Sequence, residues 1–209
     1  MTRENSAVPT LNAVEVHGLT RGSFILRSAF AAGAVYGAGA IGPYVNHALA
    51  QSAAGDIEVL NFALTLELLE AAFYERALKE VELSSDVRDM AQTFGQHERD
   101  HVSAITETIQ GLGGKPDTAP SFSFPLEGER SFLVLAQTLE ETGVSAYNGA
   151  ADQIRSPEVL AAAGQIVQIE ARHAAAIRTA RSLAPAPRAF DRALEMEQVL
   201  QAAKPFLKP

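Results

Sequence analysis

The chain has 209 residues, 47% of them hydrophobic, which is enough for one well-filled core and short for two domains. Its 17 Lys and Arg against 25 Asp and Glu give a formal net charge of −8 without a basic cluster, which argues against nucleic acid as a partner because phosphate binding needs a basic face. The absence of cysteine excludes disulfides and thiolate ligands, so that any metal must be held by carboxylates and imidazoles.

Residues 1–50 have the order of an export signal. Arg21 and Arg27 precede an apolar run of small residues over 29–42, and Ala48-Leu49-Ala50 follows as an A-x-A cleavage site. The stretch TRGSFI is similar to a twin-arginine signal but has Gly22 in place of the second arginine, so that both a Tat-like and a Sec route stay open.

This order predicts cleavage after Ala50 and an extracytoplasmic location, either periplasmic, in the cell envelope or secreted. The apolar run is too short for a comfortable transmembrane helix, and we therefore expect no stable membrane insertion after cleavage. The alternative is a retained N-terminal helix that packs against the protein or anchors it.

Residues 51–209 are predicted to form one all-α domain. Helical periodicity and breaks place helices at about 57–83, 85–112, 130–154 and 157–183, with a short closing helix within 190–206. Ser84 and Ser156 are the expected N-caps, and Pro157 stands at a first helical position. The Gly- and Pro-containing stretch 113–129 is the one long connection. Two helical hairpins joined by one long crossover are the connectivity of a ferritin-like four-helix bundle, here with a short C-terminal helix.

Two polar pairs interrupt the apolar stripes of the second and fourth predicted helices. Glu98 and His101 lie between Phe94 and Ile105. The matching pair on the fourth helix is Glu170 and His173, on a stripe expected to contain Leu160, Ala163, Val167 and Ile177. A single Glu-x-x-His is more often a solvated pair or a core histidine than a metal site. Two copies on core stripes favour metal binding.

An internal repeat extends this match. QHERDHVSAI (96–105) aligns with QIEARHAAAI (168–177), and ALTLELLEAAFY (63–74) aligns with AQTLEETGVSAY (136–147). The second alignment pairs Glu67 with Glu140 and Tyr74 with Tyr147. Counted from the two turns at 1.5 Å per residue, the six polar residues fall within about one helical turn of the same level. The halves are thus interpreted as duplicated hairpins that bring together Glu67, Glu98, His101, Glu140, Glu170 and His173.

Such a buried cluster needs compensating charge, because an unpaired buried charge costs several kcal/mol or more. Two divalent cations would balance four glutamates. One Glu from each of two helices and a Glu-x-x-His from each of the other two is the known ligand set of ferritin-like di-iron and di-manganese carboxylate proteins. We therefore predict two iron or manganese ions as cofactors, with zinc less suited, and O2 or peroxide as a reaction partner.

Neighbouring polar residues are assigned with alternatives. Glu70 is either an additional ligand or part of an acidic path for incoming metal, and its counterpart in the repeat is Gly143. Tyr74 and Tyr147 either hydrogen-bond ligand carboxylates, relay an electron or proton, or are plain core aromatics. Glu141 is excluded because it points about 100° away from Glu140 on the helix. His97 and Asp100 are placed at the surface or directly behind the ligands.

Residues 56–206 resemble the ferritin-like superfamily and, within it, the exported bacterial and plant proteins called desiccation-related or ferritin-like domain proteins. The segments that carry this resemblance are LNFALTLELLEAAFYERAL, HERDHV, LEETGVSAYNGAA and AFDRALEMEQVLQAAKPFL. The spacing of Glu67 and Tyr74 is also similar to that of rubrerythrins. The lack of cysteine, however, removes the rubredoxin-type iron centre that serves such proteins as electron donor.

The function expected from the site and the resemblance is that of an exported di-metal carboxylate protein that oxidises or sequesters iron, or consumes peroxide or O2. The alternative is a non-enzymatic, stress- or desiccation-related bundle that binds metal without turnover, so that the sequence leaves open whether the protein is an enzyme. A homo-oligomer is compatible with both, and a storage cage is a third alternative.

Overall fold

The computed structural model describes the backbone of residues 38–208 and the side chains of residues 53–208. Residues 1–37, with most of the predicted export signal, lie outside this range. The bundle belongs to the compact unit Leu49–Pro209. Within the described residues, no helix is both long and apolar enough to cross a membrane.

Five α-helices form the described chain, which confirms the all-α prediction. They are α1 (Ala38–Glu80), α2 (Ser85–Gly111), α3 (Glu129–Ala150), α4 (Pro157–Ala180) and α5 (Met196–Ala203), followed by a 3-10 turn at Lys204–Phe206. The predicted start of the first helix at residue 57 is wrong. α1 already begins at Ala38, and the alanine-rich residues 48–54, which favour helix, continue it into the bundle. α3 ends at Ala150, four residues before the predicted end.

The predicted caps are both in place. Ser156 accepts a hydrogen bond from the backbone N–H of Val159 at 3.2 Å, and Pro157 opens α4. Ser84 is the N-cap of α2, but its side chain makes no capping bond. Its backbone N–H instead donates to the Glu129 carboxylate at 2.5 Å, which connects the α1–α2 turn to the start of α3.

Two short turns and one long crossover connect the four long helices, as predicted. Residues 81–84 join α1 to α2, residues 151–156 join α3 to α4, and residues 112–128 cross from one hairpin to the other. The crossover buries Phe122 and Phe124. Around them, the Ser123 N–H donates to the Phe206 carbonyl at 2.8 Å, so that the C-terminal tail is fixed to the crossover.

Two large apolar clusters fill the bundle, with a third, small one of Leu66, Ala146 and Val199 against α5, and the polar residues lie between the two large ones. One cluster is built around Phe73 and Phe132, whose rings stack with centroids 5.3 Å apart. The other is built around Leu64 and Ile109. Along α1 the chain passes from Leu64 to Phe73 through Glu67, so that the carboxylates occupy the middle of the bundle with apolar layers above and below.

The buried stripe of α4 differs from the predicted one at its start. Leu160 is 43% exposed, while Val159 and Ile166 are buried. Measured from His173, positions 166 and 159 continue the seven-residue spacing typical of helices packed in a bundle, whereas 160 and 167 lie one position away from it. The buried stripe of α2 contains Val87, Phe94, Glu98, Ile105 and Ile109 as expected.

Asp56 ties α1 to the turn that precedes α4. Its buried carboxylate accepts the backbone N–H groups of Arg155 and Ser156 at 2.7 and 2.8 Å. We expect Asp56→Ala to lower the free energy of unfolding by about 2–3 kcal/mol, because two donors lose a charged acceptor. Chemical denaturation of the metal-free protein measures this, with Glu58→Ala on the exposed face of α1 as control. Equal stability of the two variants would contradict the assigned role.

Candidate metal centre

All six residues predicted as metal ligands meet in the middle of the bundle. α1 contributes Glu67, α3 contributes Glu140, and α2 and α4 each contribute a Glu and a His three residues apart. All four carboxylates of this set are fully buried. The side chain of His173 is 2% exposed and that of His101 12%, so one imidazole is closer to solvent than the other.

The ligand atoms divide into two groups of four. The first contains Glu67, Glu98, His101 and Glu170, and the second contains Glu98, Glu140, Glu170 and His173, with the ligand atoms of each group within 4.8 Å of one another. Glu98 and Glu170 belong to both groups. Each group therefore has one carboxylate and one imidazole of its own and shares two carboxylates with the other.

Both histidines direct Nδ1 toward the carboxylates. Nδ1 of His101 lies 3.1 Å from Glu67 Oε2, 3.0 Å from Glu98 Oε2 and 3.2 Å from Glu170 Oε1. Nδ1 of His173 lies 3.1 Å from Glu98 Oε1 and 3.1 Å from Glu140 Oε2. The same ring nitrogen of each histidine is thus directed at one group of ligand atoms.

Tyr74 and Tyr147 bind the carboxylates crosswise between the two hairpins. The Tyr147 hydroxyl donates to Glu67 Oε1 at 2.5 Å, and the Tyr74 hydroxyl donates to Glu140 Oε1. Gly95 leaves room for Tyr74, because a Cβ at position 95 would lie 2.9 Å from the Cβ of Tyr74. Each hairpin therefore fixes the carboxylate that the other hairpin contributes.

Comparison with known proteins identifies the family of the chain. A family model described as a ferritin-like domain matches residues 55–183. The chain belongs to the ferritin-like domain family. The resemblance to the ferritin-like superfamily is thereby confirmed. No curated protein sequence matches this ferritin-like chain.

Two solved structures are similar in fold. A ferritin-like, diiron-carboxylate protein from Bacillus anthracis str. Ames is 21% identical with a TM-score of 0.57, over 62% of this chain and 96% of that one. A conserved hypothetical protein from Mycobacterium tuberculosis is 15% identical with a TM-score of 0.57, over 66% of this chain and 99% of that one. At this identity the two structures establish a shared ferritin-like fold.

Glu70 is a fifth buried glutamate in this ferritin-like bundle. It is 3% exposed and belongs to neither group of ligand atoms. Gly143 makes room for it, because a Cβ there would lie 3.3 Å from Glu70 Oε1 and 3.5 Å from Glu170 Oε2. Glu70 also borders a cavity of about 20 Å³ between α1, α3 and Phe206. Its carboxylate therefore lies between the cluster and a small internal space.

So many buried carboxylates change one another's acidity. Burial, and then the charge of Glu170, raises the pKa of Glu67 to about 8. Burial and neighbouring carboxylates raise the pKa of three further glutamates well above the usual value, namely Glu70, Glu140 and Glu170. In a metal-free site these side chains hold protons that a cation would displace.

The pKa values of Glu98 and His101, by contrast, shift so that the charged forms are favoured. Burial would raise the pKa of Glu98, but hydrogen bonds to His101 and His173 outweigh it and lower the pKa to about 2. Burial would lower the pKa of His101, but hydrogen bonds to Glu170, Glu67 and Glu98 raise it to about 12. Protonated His101 is thus an internal counter-charge, and over residues 53–208 no lysine or arginine forms an ion pair with the cluster.

Three buried carboxylate oxygens are poorly satisfied. Glu98 Oε1 and Glu170 Oε1 each face only a histidine Nδ1 that other carboxylates share, at 3.1 and 3.2 Å, and Glu170 Oε2 has no hydrogen-bond partner among the described residues. They belong to the two side chains that the ligand groups share. A buried carboxylate oxygen without a partner is costly, whereas a divalent cation would bind it directly. Oxygen and imidazole donors in this proportion suit iron or manganese. The residues therefore fit a pair of such ions.

His97 lies directly behind one ligand, a position that the sequence left undecided. Its Nδ1 is 2.9 Å from Nε2 of His173, while Phe94 stacks on the His173 ring with centroids 4.0 Å apart. Partial burial, and then the charge of His173, lowers the pKa of His97, which favours the neutral ring that can accept a hydrogen bond. The signal in the sequence was the break in the repeat, where Ile169 replaces a second histidine.

The remaining candidates lie at the surface. Glu141 pairs with Arg178 at 2.6 Å, and its side chain is 39% exposed, as expected from its position beside Glu140. Asp100 is exposed and accepts a hydrogen bond from Gln96 at 2.8 Å. Neither carboxylate reaches the cluster.

Proposed function

We propose that this ferritin-like protein binds two iron or manganese ions between its four long helices and uses them to oxidise or sequester iron, or to react with O2 or peroxide. The observation that supports this proposal most directly is that the two groups of four ligand atoms share Glu98 and Glu170. Because these two carboxylates are shared, the two adjacent ion positions would form a single two-ion site. The fold common to a ferritin-like, diiron-carboxylate protein supports the same conclusion.

In this proposal the six ligands are divided between the two ions. Glu67 and His101 would hold one ion, Glu140 and His173 the other, and the shared carboxylates would bridge them. When bound, the two ions would supply two-electron chemistry with O2 or peroxide. The protein excludes bulk water by burying all four carboxylates.

The tyrosines and Glu70 complete the proposal. Tyr147 and Tyr74 orient Glu67 and Glu140 through the crosswise hydrogen bonds, which limits how far either carboxylate can rotate. Glu70 is placed to receive a cation from the cavity beside Phe206 and pass it to the cluster, or to serve as an additional ligand.

The direct test is addition of ferrous iron to the metal-free protein in oxygenated buffer. We expect two ions bound per chain and oxygen consumption in proportion to the iron added. Glu140→Ala should reduce both quantities. Glu141→Ala, which removes a surface carboxylate one residue away, should change neither. Failure of the wild-type protein to bind about two ions would refute the proposal.

The same experiment separates turnover from simple binding. Two bound ions without oxygen consumption would identify a metal-binding bundle without redox activity, the non-enzymatic and stress-related alternative. Retention of many more ions per chain, together with assembly into a large oligomer, would identify iron storage. Each result assigns a different function to the same ligands.

We further propose that the protein acts outside the cytoplasm after cleavage behind Ala50. Support comes from the order of the arginines, the apolar run and the A-x-A site in residues 1–50. Mass analysis of the protein isolated from its own cells should find a chain that begins at Gln51. A full-length chain in the cytoplasm would contradict export.

A further inference from the structure

His173 and His101 are equivalent in the repeat but have different surroundings. Nε2 of His173 faces away from the cluster and lies 2.9 Å from Nδ1 of His97, with the two ring planes within 11° of each other. On the His101 side, none of the described residues hydrogen-bonds Nε2, and the ring is the more exposed of the two. Only one of the two imidazoles is thus held from behind by a protein side chain.

The hydrogen bond also fixes the chemistry of the His173 ring. A metal-binding imidazole must present an unprotonated nitrogen to the ion, and the other nitrogen then carries the proton. Nδ1 of His173 faces Glu98 and Glu140, so Nε2–H is the donor and His97 Nδ1 the acceptor. His97 therefore selects the tautomer in which Nδ1 is available for metal. Phe94 restricts the ring further by stacking on it.

The internal repeat has no counterpart of His97 that could hydrogen-bond His101. Alignment of QHERDHV with QIEARHA places Ile169 of α4 at the position of His97. Both residues are partly buried and each directly precedes a shared carboxylate. An isoleucine side chain has no acceptor for the His101 Nε2–H.

Resting on the proposed two-ion site, we propose that His97 is a positioning residue that makes the two metal positions unequal. The position formed with Glu140 and His173 binds its ion first and more tightly than the position formed with Glu67 and His101. Removal of a hydrogen-bond partner behind a metal-binding histidine typically lowers metal affinity about 10–100-fold. The difference between the two positions should be of that order.

Calorimetric titration of the metal-free, full-length protein with Co²⁺ tests this without reference to turnover. The wild-type protein should show two binding steps. Glu140→Ala should remove the tight step and Glu67→Ala the weak step. His97→Leu should weaken the tight step about 10–100-fold and leave the weak step unchanged. Gln92→Leu, on the exposed face of α2, is the matched control.

Two further variants distinguish positioning from a general effect on the fold. His97→Asn places an amide oxygen near the position of Nδ1 and should restore most of the tight step. Ile169→Asn gives His101 an acceptor and should strengthen the weak step. The inference is overturned if His97→Leu changes neither step, weakens both equally or weakens only the second. Two wild-type steps with any of these results leave the proposed two-ion site intact, whereas absence of Co²⁺ binding to the wild type refutes both proposals.

Discussion

Replacement of Glu98 and Glu170 together by glutamine should abolish binding of both metal ions. These two carboxylates belong to both groups of ligand atoms, so that each position loses two of its four ligands. Glutamine keeps the shape of the side chain but removes the charge that attracts and binds the cation. Equilibrium dialysis with Mn²⁺, followed by metal analysis, should find the wild-type protein with two ions per chain and the double variant with none.

Variants of the unshared ligands provide the contrast. Glu67→Gln should mainly weaken one position, because Glu67 belongs to a single group. Circular dichroism should show that the double variant remains helical, because glutamine keeps the shape and volume of the buried side chains. Retention of two ions by the folded double variant would show that the cluster is not the metal site.

The metal-free protein should lose stability as the pH rises from 4.5 to about 8, the range over which Glu67 changes its charge in the unfolded and folded states. Because the pKa of Glu67 is higher in the fold, the folded state binds the proton more tightly. The stabilisation is complete below pH 4.5 and is lost as the pH rises through about 8. The raised pKa values of Glu70, Glu140 and Glu170 act in the same direction.

The titration of His101 and Glu98 does not change the direction of this pH dependence. The pKa of His101 rises from 6.5 to about 12, so its stabilising contribution also decreases as the pH rises between those values. The pKa of Glu98 falls from 4.5 to about 2, and its contribution is lost only on acidification through that lower range. The metal-free protein should therefore be most stable near pH 4.5.

Bound metal opposes this loss of stability with rising pH. The ions bind deprotonated ligands, so their stabilising effect grows as the pH rises. Thermal unfolding should be measured between pH 4.5 and 8, with EDTA in one series and Mn²⁺ in the other. We expect the melting temperature to fall with pH in EDTA and the gap between the series to widen. The Glu67→Gln variant should have a weaker pH dependence in EDTA, and a constant melting temperature of the metal-free wild type would contradict the prediction.

The repeat in the sequence was sufficient to locate the cluster. Counting residues from the turns placed Glu67, Glu98, Glu140 and Glu170 at one level, and the structure buries all four there. This worked because the rise per residue of a helix is fixed and both turns are short. The bounds of the helices were less predictable, since the start of α1 and the end of α3 depend on packing and on weak propensities.

Details of side-chain orientation could not be read from the sequence. The periodicity of α4 allowed either Val159 or Leu160 to face inward, and only the packing against α3 decides between them. The sequence paired Tyr74 with Tyr147 by repeat, but the crosswise bonds to Glu140 and Glu67 depend on how the hairpins face each other. The role of His97 depends on a contact between residues 76 positions apart.

The crosswise bonds of the two tyrosines have a consequence for the origin of the chain. A single ancestral hairpin would have contained half of the ligands and no acceptor for its own tyrosine, so that it could complete this arrangement only by pairing with an identical copy. In such a symmetric pair every side chain occurs twice. If the interpretation of the halves as duplicated hairpins holds, a glycine facing Glu70 and an isoleucine at the position equivalent to His97 require two fused copies that mutate separately. The departures from symmetry next to the ligands are thus changes that only the fused chain could acquire.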